Sequence, residues 1–467
     1  MLFLIETIHI YHTNDLHSHF EQWPKIVHYI NKQREKHRQE HEEMFLFDIG
    51  DHMDRFHPIS EASLGKMNIA FLNELKYDAV TIGNNEGITL PYEALDCLYE
   101  EATSDVIVAN LYNSEGKIPI WAKPYQVYTT SSGIRLGVIG LTVYYQLFYE
   151  LLGWEIRDPF EVIKEILKEI SGQTDVIVLL SHLGINEDER LAELHDIDVI
   201  LGGHTHHLLE EGKMINNSLV CGAGKYGMYI GHVELQIVTN TKAVITKRAE
   251  VIPTNDLVEE SNSTKRTLQL AMEESEIMLG EQITVLKEDL VNNWFKESPL
   301  SQMLVETLKD WCEGEIAMIN AGIILDSLSK GAISRKDIHR ICPHPINPCN
   351  VWLKGDKLKE IILQAHTEQM ENLRFKGLGF RGEVMGKMIY SGIEIESAKL
   401  SDGETHIRSI IINHEPLDHN RTYKISTIDM FTFGYLYPVI RDAKKKEFFM
   451  PELLRDLLIN KFMDASL

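Results

Sequence analysis

Nothing in the 467 residues runs apolar for long. The buried-looking runs, such as Val176–Leu180, are five or six residues, whereas a membrane-spanning helix needs about 20. No membrane segment is expected. Met1–Ile5 is apolar, but Glu6 follows at once and no basic stretch accompanies it, which argues against a signal peptide and for a cytoplasmic protein. Cysteine is scarce: Cys97, Cys221, Cys312, Cys342 and Cys349 make an odd count without a Cys-x-x-Cys pair, so reduced thiols are the simplest reading. Basic clusters are missing as well. Lys and Arg number 46 against 70 Asp and Glu, 46 − 70 = −24, a balance that repels a polyanion and excludes long nucleic acid as a partner. Small anions stay accessible where bound cations invert the local field. There is no internal repeat or low-complexity tract, and the short run Lys444–Lys446 reads as a solvated loop.

What is present is an ordinary globular composition, 44% apolar and 25% charged, in a chain too long for one core, so two domains are expected. The first ~250 residues alternate short strands with helical patterns. Strands are expected at Thr7–His12, Met44–Phe47, Ala79–Ile82, Val106–Ala109, Leu136–Ile139, Val176–Leu180 and Val199–Leu201, and helices include Lys25–Glu40 and Pro159–Ile170. That order is α/β. A polar stretch, Thr254–Ser263, leads into a charged helical pattern ending near Gly280, and a second α/β unit follows, with helices near Pro299–Cys312 and Lys357–Glu371. The division is therefore 1–253, a linker helix over 254–280, and 281–467.

Five segments stand at the ends of expected strands: Thr13-Asn14-Asp15-Leu16-His17, Gly50-Asp51, Gly83-Asn84-Asn85-Glu86, Ser181-His182, and Gly202-Gly203-His204-Thr205-His206. Open α/β sheets bind ligands at such ends. Each segment carries carboxylate, imidazole or amide ligands. The spacing of two in Asp-x-His and His-x-His matches the strand period, which puts both side chains on one side of an extended strand end. Singly, each motif is a common turn; five in order are hard to explain as turns.

The order resembles that of the calcineurin-like metallophosphoesterases, which build a four-layer αββα sandwich. The second unit resembles the C-terminal, substrate-binding domain of the 5'-nucleotidases in that superfamily, through Glu297-Ser298-Pro299-Leu300 and Met318-Ile319-Asn320-Ala321-Gly322. The resemblance implies that Asp15, His17 and His206 hold one metal, that Asn84, His182 and His204 hold another, and that Asp51 bridges them. Two dications clamp a phosphoryl group and lower the pKa of a shared water that attacks phosphorus. Mixed nitrogen and oxygen ligands favour Mn, Zn, Fe or Co.

The departures are as informative. Where the family has Gly-Asn-His-Glu-Phe-Asp, this chain has Gly83-Asn84-Asn85-Glu86-Gly87-Ile88: Asn85 replaces the catalytic histidine and Ile88 the aspartate that orients it. Asn85 is expected to polarise the phosphate without delivering a proton, and His52, His57 and His207 are candidate replacement acids, the latter two having the better case as residues close in sequence to a ligand that could face the cleft. Two nucleotidase arginines correspond to Trp294 and Leu325. The base-stacking segments correspond to Pro343-His344-Pro345 and to Met430-Phe431, followed by Phe433-Gly434-Tyr435-Leu436. Asn320, Trp294, His344, Phe431 and Phe433 are the substrate-binding candidates. The expected function is hydrolysis of a small phosphorylated metabolite, nucleotide-like or cyclic, with the C-terminal domain closing over the metals. The alternative is a metal- and ligand-binding sensor whose catalysis has decayed.

Overall fold

The computed structural model describes residues 4–399 and 405–464. The chain forms two compact units, one ending at Ser275 and the other beginning at Glu276. This boundary falls inside a helix, Asn262–Met278.

In the first unit the alternation of strand β1 (Ile5–Thr13) decides the layering. Ile8 and Ile10 are fully buried on one face, while His9 and Tyr11 point to the other. β1 pairs in parallel with β2 (Glu43–Asp48) inside a six-stranded sheet, whose remaining strands are Ala79–Val80, Asp105–Val106, Tyr229–Val238 and Ala243–Pro253. A second six-stranded sheet contains Arg135–Thr142, Val176–His182, Val199–Gly202 and Ser218–Ala223 in parallel. One core joins them: Ile8, Ile10 and Phe47 from the first sheet pack with Val138, Val178 and Leu180 from the second. The outer face of the second sheet takes helix Pro159–Glu169, where Val162, Ile163 and Ile166 meet Ile139, Leu179 and Ile200. On the first sheet's outer side, helix α1 (Trp23–Glu40) buries Trp23, Ile26, Val27 and Ile30, the spacing of one helical face. Helix–sheet–sheet–helix is the four-layer arrangement expected from the resemblance. The strands after Gly202 were not among the expected ones.

The second unit holds a five-stranded mixed sheet ordered Met388–Ser391, Ile316–Asn320, Thr422–Ile428, Pro348–Lys354 and Lys446–Phe448. Helix Pro299–Trp311 buries Leu300, Leu304 and Leu308 against it. Two expected ligand contacts are corrected here. Phe431 is fully buried and packs edge-on to Tyr437 at 4.8 Å, so it is a core side chain with no face to offer a base. His344 is also fully buried: Arg381 N donates to its Nδ1 at 2.9 Å, and its Nε2–H donates to Ile323 O at 2.8 Å. Burial pushes its pKa down to about 3, so both nitrogens serve the fold as a neutral ring. Phe431→Ala is therefore expected to destabilise this unit by about 3–5 kcal/mol in urea unfolding; an unchanged midpoint would contradict the core assignment.

Candidate metal centre

The parallel strands of both sheets end on the same side, and cross-sheet hydrogen bonds lock those ends together. His204 N donates to Asp15 Oδ1 at 3.0 Å, and the His182 Nδ1–H donates to Ile49 O at 2.7 Å. The extended-strand explanation of the Asp-x-His and His-x-His spacing is corrected. Asp15, His17, Asp51, His204 and His206 all have positive φ, between 48° and 70°, so the chain has already left the strand when it presents them. Non-glycine residues seldom adopt this region, and a run of such residues at one site is stored strain of about 1–3 kcal/mol each, tolerated where the surroundings enforce it. Gly83 is required for another reason: a Cβ there would lie 2.1 Å from Asp51 Oδ1.

The structure gathers the candidate ligands into two adjoining groups. In the first, His17 Nε2 and His206 Nε2 stand 3.1 Å apart, with Asp15 Oδ1 at 3.8 Å from His17 and 3.4 Å from His206. In the second, His204 Nδ1 is 2.8 Å from Asn84 Oδ1. Asp51 Oδ2 lies between, 3.6 Å from His17 Nε2 and 3.4 Å from His182 Nε2. These residues fit divalent cations on one decisive observation. Because the His182 Nδ1 proton is used on Ile49 O, Nε2 presents a lone pair; it is fully buried, has no hydrogen-bond partner and faces a carboxylate oxygen. Two lone-pair atoms facing each other call for positive charge between them, which a divalent cation or a proton on Nε2 supplies.

Without metal, the cluster compensates with protons. Burial opposes charge on both His182 and Asp51, yet the Asp51 carboxylate pushes His182 up to about 10, and His182 with His17 holds Asp51 below the usual carboxylate range. Metal ligation requires these imidazoles neutral, so uptake displaces protons.

Asn85 adds a contact that the sequence did not suggest. Its backbone N–H donates to Asp51 Oδ1 at 2.7 Å and its side-chain amide to Asp51 Oδ2 at 2.8 Å, so it clasps the shared carboxylate. His57 caps the helix Pro58–Ser63, accepting from Ile59 N, and meets the Phe20 ring at 5.1 Å. His52 is buried beside Asn68, and burial pushes it down to about 3. His207 is exposed and bonds Thr205 Oγ1 at 2.9 Å. In the second unit, the Asn320 amide donates to Met385 O at 2.9 Å and the Trp294 indole to Ile324 O at 2.8 Å. Trp294 and Leu325, the two arginine-replacing positions, line one hollow of about 290 Å³ with Asn292, Asn293, Phe295 and Asp326. Phe433 is half-buried.

Two contributors were not singled out from sequence. Glu86 accepts from the backbone N–H groups of Asp51, Met53 and Gly83 at 2.8–3.0 Å; burial and the Asp51 charge push it up to about 7. Its signal was its place in the segment Gly83–Glu86. Tyr145 follows strand Arg135–Thr142, and its hydroxyl lies 3.1 Å from His204 Nε2; only its position after an expected strand could have marked it.

Comparison with known proteins agrees with this geometry. The family profile of calcineurin-like phosphoesterases matches residues 8–208, and that of the 5'-nucleotidase C-terminal domain matches residues 280–435. The metallophosphoesterase YunD of Bacillus subtilis (strain 168) is 50% identical over 97% of this chain and 98% of its own length. The chain belongs to the calcineurin-like metallophosphoesterases. Its fold is shared with the NAD nucleotidase of Haemophilus influenzae (16% identity, TM-score 0.70, 99% of this chain and 97% of the other). It is shared too with a 5'-nucleotidase precursor of Thermus thermophilus (21% identity, TM-score 0.60, 98% and 97%). This metallophosphoesterase is thus a hydrolase of phosphate esters that depends on divalent metal. Among the described residues, no helix is long and apolar enough to cross a membrane.

Asp51 stands between both groups, so Asp51→Ala should lower metal content at both, by elemental analysis of metal-loaded protein. Occupancy equal to wild type would rule out a shared ligand.

Proposed function

We propose that this metallophosphoesterase uses two divalent cations to hydrolyse a small phosphorylated metabolite whose leaving group departs without protonation, a phosphoanhydride or an ester of an acidic alcohol. When bound, the cations clamp the phosphoryl group and lower the pKa of a water. Asp15, His17 and His206 would hold one, Asn84, His182 and His204 the other, and Asp51 would span them. The observation that carries the reading is Asn85, which stands where related enzymes carry an imidazole and spends its amide on Asp51 Oδ2 at 2.8 Å. An amide cannot deliver a proton, and general acid assistance is worth roughly 100- to 10,000-fold. Esters of poorly leaving alcohols depend on that assistance most.

The nucleotidase names among its relatives support a nucleotide-like substrate. The second unit tempers this for nucleoside 5'-monophosphates: Phe431 and His344 are locked in the core, and Trp294 and Leu325 bring no positive charge. The expected result is that kcat/KM for aryl phosphates or anhydrides exceeds that for AMP by at least tenfold in a phosphate-release panel. AMP as the best substrate would refute this reading.

Asn85→His with Ile88→Asp should restore an oriented acid. Ile88 is only half-buried, so the carboxylate need not be stranded in a core. Hydrolysis of alkyl phosphates should rise by about one to two orders of magnitude and that of aryl phosphates by less. A folded, metal-loaded double variant no faster on alkyl phosphates would show that proton delivery is not what the site lacks.

A further inference from the structure

The outer face of the first sheet, beneath α1, carries a second cluster of titratable groups. The strand alternation that sends Ile8 and Ile10 inward turns His9 and Tyr11 toward α1. The antiparallel neighbour places His232 opposite Tyr11, and Glu250 lies opposite His232 on the next strand. The last turn of α1 supplies His37. His41 then turns left-handed, with φ 58°, and folds Glu42 back so that its N–H donates to His37 O at 2.9 Å. The side chains form a continuous chain of contacts: Glu250 Oε1 to His232 Nδ1 at 2.9 Å, His232 Nε2 to His9 Nδ1 at 3.0 Å, and His9 Nε2 to Glu42 Oε2 at 3.0 Å. His37 Nδ1 meets the same Glu42 oxygen at 3.0 Å, and His37 Nε2 meets the Tyr11 hydroxyl at 3.1 Å.

Counting hydrogens exposes a conflict. The Tyr11 hydroxyl can supply the hydrogen for its own contact. Each of the other four contacts needs a hydrogen on a ring nitrogen, yet three neutral imidazoles carry only three. Held by hydrogens alone, one ring must be an imidazolium. Burial works against this, pushing the pKa values of His9 and His232 down. A cation replacing the two hydrogens that face Glu42 resolves the count. His9 Nδ1–H then donates to His232 Nε2, His232 Nδ1–H to Glu250, and His37 Nε2–H to the Tyr11 oxygen. Every ring is neutral, and each ligating ring's other nitrogen is anchored, as in ordinary histidine–metal sites.

We propose that His9 Nε2, His37 Nδ1 and the Glu42 carboxylate bind a transition-metal dication of the zinc class, at a site separate from the catalytic centre. Two imidazoles and one carboxylate are a sufficient set of protein ligands for zinc, with water completing the tetrahedron. The three donor atoms lie within 4.8 Å of one another. Bonds of about 2.0–2.1 Å place tetrahedral ligands roughly 3.4 Å apart, so each ring nitrogen moves a few tenths of an ångström from its 3.0 Å contact with Glu42 Oε2, and the His9 and His37 rings, stacked at 3.9 Å and 22°, tilt so that their lone pairs converge on the ion. The Glu42 side chain is 31% exposed, which leaves a route for the ion and a place for the water. Such an ion would fasten the end of α1 to the sheet from which Asp15 and His17 emerge.

The proposal does not depend on the substrate. Apoprotein of the full chain is loaded with Zn²⁺, desalted and assayed by elemental analysis, for wild type, His37→Gln, Glu42→Gln and Asp51→Ala. Wild type should hold one equivalent more than His37→Gln or Glu42→Gln, and Asp51→Ala should keep that equivalent while losing those of the catalytic centre. Loading should also raise the Tm of Asp51→Ala, and of Asp51→Ala/Glu42→Gln much less. Glu42 lies in a partly exposed turn, so its variant reports even if His37→Gln fails to fold. Equal zinc content in wild type and folded Glu42→Gln would overturn the proposal, leaving the cluster held by protons.

Discussion

Asp51 is a carboxylate with 1% of its surface exposed, and the strand ends around it are organised to keep it charged. An isolated buried carboxylate would cost several kcal/mol or take up a proton. Asp51 instead receives the backbone and side-chain N–H groups of Asn85 on its two oxygens, with His17 and His182 on its open side. Its own backbone N–H is taken by Glu86, which also grips Gly83. The segment Gly83–Glu86 is thus wrapped around one residue. His182 Nε2, with no partner but this carboxylate, gives the arrangement its chemical meaning: positive charge belongs between them.

That constraint explains the local backbone. Strands run straight, but metal-binding side chains from two different sheets must converge to within a few ångströms of one another. The chain achieves this by turning left-handed at Asp15, His17, Asp51, His204 and His206 immediately after the parallel strands, with cross-sheet bonds from His204 N and His182 Nδ1 holding the two edges in register. The cores below supply the rigidity that such strain demands.

Much of this was legible in the sequence, because a parallel strand leaves a short apolar run and its end leaves a motif. The seven candidate ligands each stood in such a motif, and the structure brings them together. The turns that aim them left no periodic signal, which is why the extended-strand explanation of the spacing failed. Of the four strands from Leu208 to Pro253, Leu208–Ile215 was missed because it is exposed at several positions on both faces, so no clean alternation marks it; the alternation in Tyr229–Val238 was legible and was passed over. In the second unit, the resemblance pointed to Phe431 and His344 by alignment of position, but burial is a property of packing, and there both are interior. His9, His37 and Glu42 could not be read at all. They share no motif, and only the return of α1 onto β1 makes them neighbours.

The central claim is that two cations share Asp51 in a site that lacks a proton donor at Asn85. Anomalous diffraction from crystals soaked in Mn²⁺ tests its structural half most directly. Two manganese peaks about 3.5–4 Å apart, both within bonding distance of the Asp51 carboxylate, are the predicted result. A single peak, or two with Asp51 bound to only one, would contradict the account.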